Sequence, residues 1–320
     1  MKNSQRRSFE VRVPASTANL GAGFDCFGLA LHLFLTVRVA VQSDPAARSL
    51  ARSRGVSGSD ALPTAPGENL ILRAMRRTAD RIGVPLPPVH LAVRNQIPIA
   101  AGLGGSAAAI VAGIALGFAV CGKKITQDGA LSLAAELETH TDNVGAALLG
   151  GLVVSFVQSS GEVLALRKKW PREIRVVAVT PNMVLPTAAS RAALPKTVEH
   201  ADAVHNLQRS ALFLAALDAR RYDLLWDAMQ DRLHHSYRQA LIPGLAGALA
   251  VPRMPGLVGV ALSGSGPSVI ALATSHFAQI GKVLAEQFER AGLSSTVRVL
   301  SASQEGMRLA GKPAGKNRLR

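Results

Sequence analysis

Aromatic residues are scarce: Phe, Tyr and Trp make up 4% of the 320 residues. A surface that holds single-stranded nucleic acid stacks bases on rings, so this composition argues against one. Cysteine is scarcer still. Cys26 and Cys121 stand in apolar surroundings with no metal-ligand spacing, and they read as core thiols of a reduced, cytosolic compartment. The N-terminal MKNSQRRSFE has basic residues with no apolar stretch behind them, so no signal peptide is expected. Long apolar runs are missing with one exception. Residues 97–122 carry no charge, contain Gly113 and Gly117 as a GxxxG and are followed by Lys123 and Lys124. Their strongly apolar part, Ile110 to Val120, would rise only about 16 Å as a helix, roughly half of a bilayer core. A buried helix is the better reading, and no membrane partner is expected.

Acid is also in short supply. Asp and Glu number 21 against 36 Lys and Arg, a net charge of +15. A basic field concentrates anions, nucleotides and nucleic acids alike. The charge is dispersed, however: Arg6, Arg7 and Arg12 at the start, a group from Arg48 to Arg81, and a tail from Arg308 to Arg320 without acid. That pattern fits solvated faces and a frayed terminus better than a nucleic-acid surface.

What is present reads as globular: 48% apolar residues, 18% charged and 29 glycines. Residues 8–15 and 33–42 have the look of strands, with a Gly-rich turn between them. Residues 43–67 read as an exposed loop, a helix starts after Glu68-Asn69 and runs to about Arg81, 89–96 read as a strand and 128–139 as a further helix. Strand pattern returns over 150–166 and again over 174–180. Helices follow at 201–218 and 221–238, then a strand at VGVALSG, a helix at 276–291 and a strand at 295–300. Strands and helices mix without strict alternation, so the class is α+β and not a doubly wound sheet. A division falls near residue 168, giving regions 1–168 and 169–305, with 306–320 as a flexible basic tail.

Three Gly-rich segments carry the chemistry. In PIAAGLGGSAAA (98–109), Gly102, Gly104 and Gly105 let backbone N–H groups converge, and an apolar helix begins at once. That combination cradles phosphate, although a tight structural turn has the same composition. The Lys of a Walker A loop is absent. LSGSGPSV (262–269) follows a strand in the second half and reads equally as a hairpin or as a loop closing over phosphates. In PASTANLGAGFDCFGLAL (14–31), Asn19 and Asp25 stand among glycines, where Asx-turn chemistry is an alternative account of both.

Together, in this order and spacing, the three segments resemble the three motifs of the GHMP kinase superfamily, over roughly residues 9–300. ELETHTDNVGAALLGG (136–151), TAASRAALP (187–195) and YRQALIPG (237–244) are similar to its homoserine kinase branch. The resemblance implies a two-domain fold, with an N-terminal domain like ribosomal protein S5 domain 2 and a ferredoxin-like C-terminal domain. It implies ATP and Mg2+ as cofactors, L-homoserine as acceptor, threonine biosynthesis as setting, and a homodimer. For ATP it points to Asn69, Pro98, Ala100, Ala101, Gly102, Leu103, Gly104, Gly105, Ser106 and Ala107. For the metal it points to Ser106 and Glu136. For homoserine it points to Asn19, Asp25, His140, Asn143, Thr187, Arg191, Arg238 and Gly264, with Asn19, Asn143 and Ser106 closest to the chemistry. Asp25 would face the ammonium, while Arg191 and Arg238 would hold the carboxylate, because a guanidinium binds it bidentately. No dedicated base is implied, and Asp142 is given a structural part. One departure stands out: Gly105 occupies a position where the family usually carries serine. A kinase of mevalonate, shikimate or a sugar remains an alternative within the superfamily, and a basic nucleic-acid-binding protein a distant one.

Overall fold

The computed structural model describes residues 7–44, 49–55, 67–138 and 140–312. Two sheets organise them. The first joins β1 (Ser8–Ala18), β2 (Phe27–Val41), β3 (Leu50–Gly55), β4 (Val89–Asn95), β5 (Leu152–Val157), β6 (Val163–Lys168) and β11 (Arg308–Lys312). Its path runs β11-β1-β2-β4-β3, while β5 pairs with the first residues of β2 and with β6. The second sheet, β10-β7-β9-β8, is built from β7 (Arg175–Pro181), β8 (Leu257–Leu262), β9 (Val269–Ala273) and β10 (Ser295–Leu300).

Among the described residues ten α-helices accompany them: α1 (Leu70–Arg81), α2 (Gly105–Val120), α3 (Gln127–Leu137), α4 (Thr141–Leu149), α5 (Thr187–Ala192), α6 (His200–Asp218), α7 (Leu225–Ala228), α8 (His235–Arg238), α9 (Leu245–Leu249) and α10 (Phe277–Arg290). β1 shows how sequence sets depth. Its first residues alternate in burial, as a strand with one solvated face should, but from Val13 onward every residue is buried. There the loops of the second half close over it.

α2 is buried on nearly every side, as its Ala, Gly, Ile and Val composition requires. Gly113 and Gly117 face α1, and a Cβ on Gly113 would come within 2.6 Å of the Ala74 Cβ. The GxxxG is thus a close helix contact inside the domain. Among the described residues no helix is long and apolar enough to cross a membrane.

Several local expectations change. The proposed loop 43–67 contains β3, which lies parallel to β4; residues 45–48 and 56–66 are outside the described part. The single strand at 150–166 is the hairpin β5–β6, turned at Gly161. The helix at 221–238 is broken into α7 and α8, because Asp231 draws the backbone N–H groups of Leu233, His234 and His235 onto its carboxylate. The tail begins as β11, where Arg308–Lys312 pairs with β1 and returns the chain to the first sheet; residues 313–320 lie outside the described part.

Candidate active site

A cavity of about 340 Å³ opens where the three Gly-rich segments meet. The middle segment enters from β4. Gly102 and Gly104 have φ of +73° and +70°, a left-handed backbone that favours glycine. A side chain at Gly104 would also collide with the Ser16 hydroxyl. Three bonds fix the loop: Ser16 N–H to the Leu103 carbonyl at 3.2 Å, Ser268 N–H to the Ala101 carbonyl at 3.3 Å, and Ser263 Oγ–H to the Gly102 carbonyl at 2.6 Å. No side chain caps α2, whose N-cap is Gly104, so its first N–H groups and its dipole are open at the cavity that Gly104, Gly105 and Ser106 line. Ala100, Ala101, Gly102, Gly104, Gly105 and Ser106 line the wall. Pro98, Leu103 and Ala107 do not; Leu103 and Ala107 pack into the core.

Glu136 and Ser106 are not brought together. Glu136 lies on the outer face of α3 and receives Arg77 through Nη2 at 2.6 Å. The carboxylate beside Ser106 is Glu138, one residue past the end of α3, whose Oε1 accepts from Ser106 Oγ at 3.4 Å. Burial pushes the Glu138 carboxyl upward, with the Ser106 bond opposing. Asn69 caps α1, its Oδ1 accepting from the Leu72 N–H at 3.1 Å, and its neighbours Glu68 and Leu70 line the cavity instead.

The first segment supplies Asn19 and Asp25, both with left-handed φ. The Asn19 amide is used at both ends: Nδ2 donates to the Gly264 carbonyl and Oδ1 accepts from the Asp25 N–H, each at 3.0 Å. It braces the first segment against the third. Asp25 receives Arg191 bidentately, at 2.9 and 2.6 Å. Arg191 Nη2 also donates to His140 Nδ1 at 2.6 Å, which requires the neutral ring. Burial, joined by Arg191 and Arg238, outweighs Asp25 and holds the His140 pKa below its ordinary value.

Arg238 is placed differently from Arg191. It is 1% exposed and donates to neutral acceptors, the Gly264 carbonyl at 3.0 Å and the Ser190 carbonyl at 3.3 Å. Among the described residues no carboxylate lies within 4.0 Å of it. Burial and the nearby Arg191 lower its pKa to about 10, which leaves it charged at neutral pH. Asp25 and Asp231 offset this only from a distance, so Arg238 is a buried cation on the cavity wall with no carboxylate in contact.

Asn143, at the start of α4, has its Oδ1 bonded by Ser16 Oγ–H at 2.8 Å and its Nδ2 donating to Asp142 Oδ1 at 3.1 Å. Asp142 is buried, and desolvation pushes its pKa up to about 7 against the bonds from Asn143. Thr187 Oγ1 lies 3.4 Å from Ser265 Oγ at the cavity edge, beside Gly264. Sequence reasoning missed Glu138, Ser16 and Ser190. Glu138 was within reach, since it stands in the same ETHTDN stretch as His140 and Asn143.

The Gly-rich loop at the open end of α2 and the charged cavity beside it have the make-up of a phosphoryl-transfer site. Residues 69–151 match the family described as GHMP kinases N terminal domain. A homoserine kinase of Moorella thermoacetica is 40% identical over 296 residues, covering 92% of this chain and 98% of its own. That of Desulfitobacterium hafniense is 38% identical over 298 residues, with the same coverage of both chains. The crystal structure of homoserine kinase from Cytophaga hutchinsonii superimposes with a TM-score of 0.83 at 27% identity, over 97% of this chain and 99% of that one. The chain belongs to the homoserine kinase family of the GHMP kinases.

Proposed function

We propose that this protein transfers the γ-phosphoryl group of ATP to the hydroxyl of L-homoserine. The observation that carries the acceptor is one cavity lined both by the Asp25 carboxylate and by Arg238, a buried guanidinium with no carboxylate in contact. Homoserine is a zwitterion: its ammonium takes Asp25, and its carboxylate takes Arg238, which has no carboxylate in contact, with Arg191 beside it. Mevalonate, shikimate and sugars have no ammonium to share the Asp25 carboxylate with Arg191. The phosphates of ATP lie against Gly102–Ser106, where α2 offers free N–H groups.

Hard oxygen donors fit magnesium, and the hydroxyl of Ser106 and the carboxylate of Glu138 are the pair present. The ion, when bound, neutralises charge on the phosphates. The chain's own contribution is positioning. Asn143, clamped by Ser16 and Asp142, borders the acceptor hydroxyl. Asn19 acts through Asp25 and Gly264, which it holds at fixed distance. As the hydroxyl oxygen bonds to the γ-phosphorus, the bond from phosphorus to the bridging oxygen of ADP breaks. The hydroxyl proton leaves to a phosphate oxygen, and no side chain is assigned as base.

The test is ADP release by purified protein with Mg-ATP and a panel of alcohols. Turnover is expected with L-homoserine and not with mevalonate, shikimate or galactose. Turnover of one of those in place of L-homoserine would refute the assignment.

A further inference from the structure

The turn before α8 decides how Arg238 enters the cavity. Asp231 accepts from Asn206 Nδ2 at 2.8 Å and from the N–H groups of Leu233, His234 and His235 at 3.1, 2.8 and 2.7 Å. This fixes His234, whose side chain is fully buried. Its Nε2 lies 3.0 Å from the Gly21 carbonyl, an acceptor, so Nε2 carries the hydrogen. Its Nδ1 lies 3.3 Å from Arg238 Nη1, a donor, so Nδ1 presents a lone pair. Only one tautomer of the neutral ring satisfies both. The ring also stacks on Phe24, with centroids 4.9 Å apart, and the Arg238 guanidinium stands 5.6 Å from the same Phe24 ring. Desolvation, aided by His235 and Arg238, holds the His234 pKa down to about 3.

Asp231, His234 and His235 have metal-ligand atoms within 4.8 Å of one another. Hydrogen bonds account for them, however: His235 Nε2 accepts from the Leu262 N–H at 3.2 Å, and the Asp231 oxygens are taken by the turn. The cluster is a brace and holds no vacant ligand set.

We propose that His234 is the positioning residue for carboxylate recognition: as a neutral Nε2–H imidazole it orients Arg238 without neutralising it. A carboxylate at this place would fix the guanidinium equally well but cancel the charge the substrate needs. An apolar side chain would leave a buried N–H of Arg238 without an acceptor. A neutral ring gives the bond and leaves the charge. This inference rests on the homoserine kinase reading.

The test compares His234→Asn, whose amide oxygen falls near the Nδ1 position, with His234→Gln, which reaches the Nε2 position. In steady-state kinetics His234→Gln should raise the KM for L-homoserine about tenfold or more, with the KM for ATP within about twofold. His234→Asn should restore most of that loss. In an Arg238→Leu background, His234→Gln should add no further increase. Equal changes in both KM values, or a full effect in the Arg238→Leu background, would overturn the assignment. Should neither variant fold, 15N shifts of the ring in the wild-type protein decide: Nε2–H from pH 5 to 8 is expected, and an Nδ1–H ring or imidazolium refutes it. Failure of the wild-type protein to turn over L-homoserine removes the underlying reading as well. Normal turnover with an unaffected His234→Gln removes the His234 assignment alone.

Discussion

At the residue scale, charge bookkeeping separates the two arginines of the cavity. Arg191 is spoken for by Asp25, whereas Arg238 meets only neutral acceptors. Replacing Arg238 by Leu removes a charge-assisted contact of about 2–3 kcal/mol, so the KM for L-homoserine should rise on the order of 100-fold while that for ATP stays near wild type. Equal effects in steady-state kinetics would remove Arg238 from the carboxylate site. Asp142 gives a pH prediction. Its folded pKa, raised to about 7 by burial, exceeds the ordinary carboxylate value, so the folded state holds the proton more tightly than the unfolded chain. Its contribution to stability therefore falls as pH rises from about 4 to 7 and levels off above, by at most about 4 kcal/mol. Asp142→Asn mimics the protonated form, so its stability relative to wild type should improve between pH 5 and pH 8 in urea denaturation. A constant difference would mean that Asp142 stays ionised. The types and positions of Asn19, Asp25, Asn143, Arg191 and Arg238 were legible in the motifs. The pairing of Asp25 with Arg191, and the neutral supports of Arg238, depend on contacts between residues 166 and 48 positions apart, which no local pattern encodes.

At the element scale, helix ends and helix contacts decide what the cavity receives. α3 stops at Leu137, so Glu136 belongs to its last turn and faces outward to Arg77, while Glu138 lies past the end and turns inward. The motif reading named Glu136, whereas the structure places Glu138, and not Glu136, beside Ser106. Glu138→Gln should raise the Mg2+ concentration for half-maximal rate several-fold, and Glu136→Gln should lose only an exposed ion pair of less than about 1 kcal/mol. An unchanged Mg2+ requirement in Glu138→Gln would exclude that carboxylate. α2 supplies a contrast within one helix. At Gly105 an added Cβ finds its nearest neighbour, Ile97 Cγ2, at 3.7 Å; at Gly113 it would press on the Ile71 carbonyl and on the Ala74 Cβ. Gly105→Ala should therefore stabilise by a few tenths to about 1 kcal/mol, as helix propensity dictates. Gly113→Ala should destabilise by about 1–3 kcal/mol, because α1 must move. Thermal or urea denaturation of the two variants checks the opposite signs. The strand and helix periods of β1, β4, α1 and α6 were legible for physical reasons, each having one patterned face. β3, the break between α7 and α8, and β9 were not: their form is set by a partner strand or by the Asp231 side chain.

At the scale of the whole molecule, the two sheets are not independent bodies. The main core cluster runs from Phe9 and Val11 through Leu103 to Ala261, Ile270 and Leu272 of the second sheet. Polar bonds stitch the seam beside the cavity: the Ser263 and Thr17 hydroxyls at 2.8 Å and Gly264 N–H to the Ala18 carbonyl at 3.2 Å. Even β11 ties the end of the described chain to the first strand. A shared core predicts one cooperative unfolding transition, since exposing either sheet exposes the other. The proposed acceptor also bridges the seam, with its ammonium on Asp25 from the first half and its carboxylate on Arg238 from the second. Binding to the folded state alone stabilises by about 2.7 kcal/mol at a concentration 100 times Kd. Calorimetry should thus show a single peak, moved upward by several degrees with L-homoserine at saturation and again with Mg-ATP. Arg238→Leu should abolish the homoserine shift and keep the nucleotide shift, because the phosphate loop belongs to the first half. Two separate peaks, only one of them responsive to homoserine, would show instead that the halves unfold apart and that the acceptor is held by one of them.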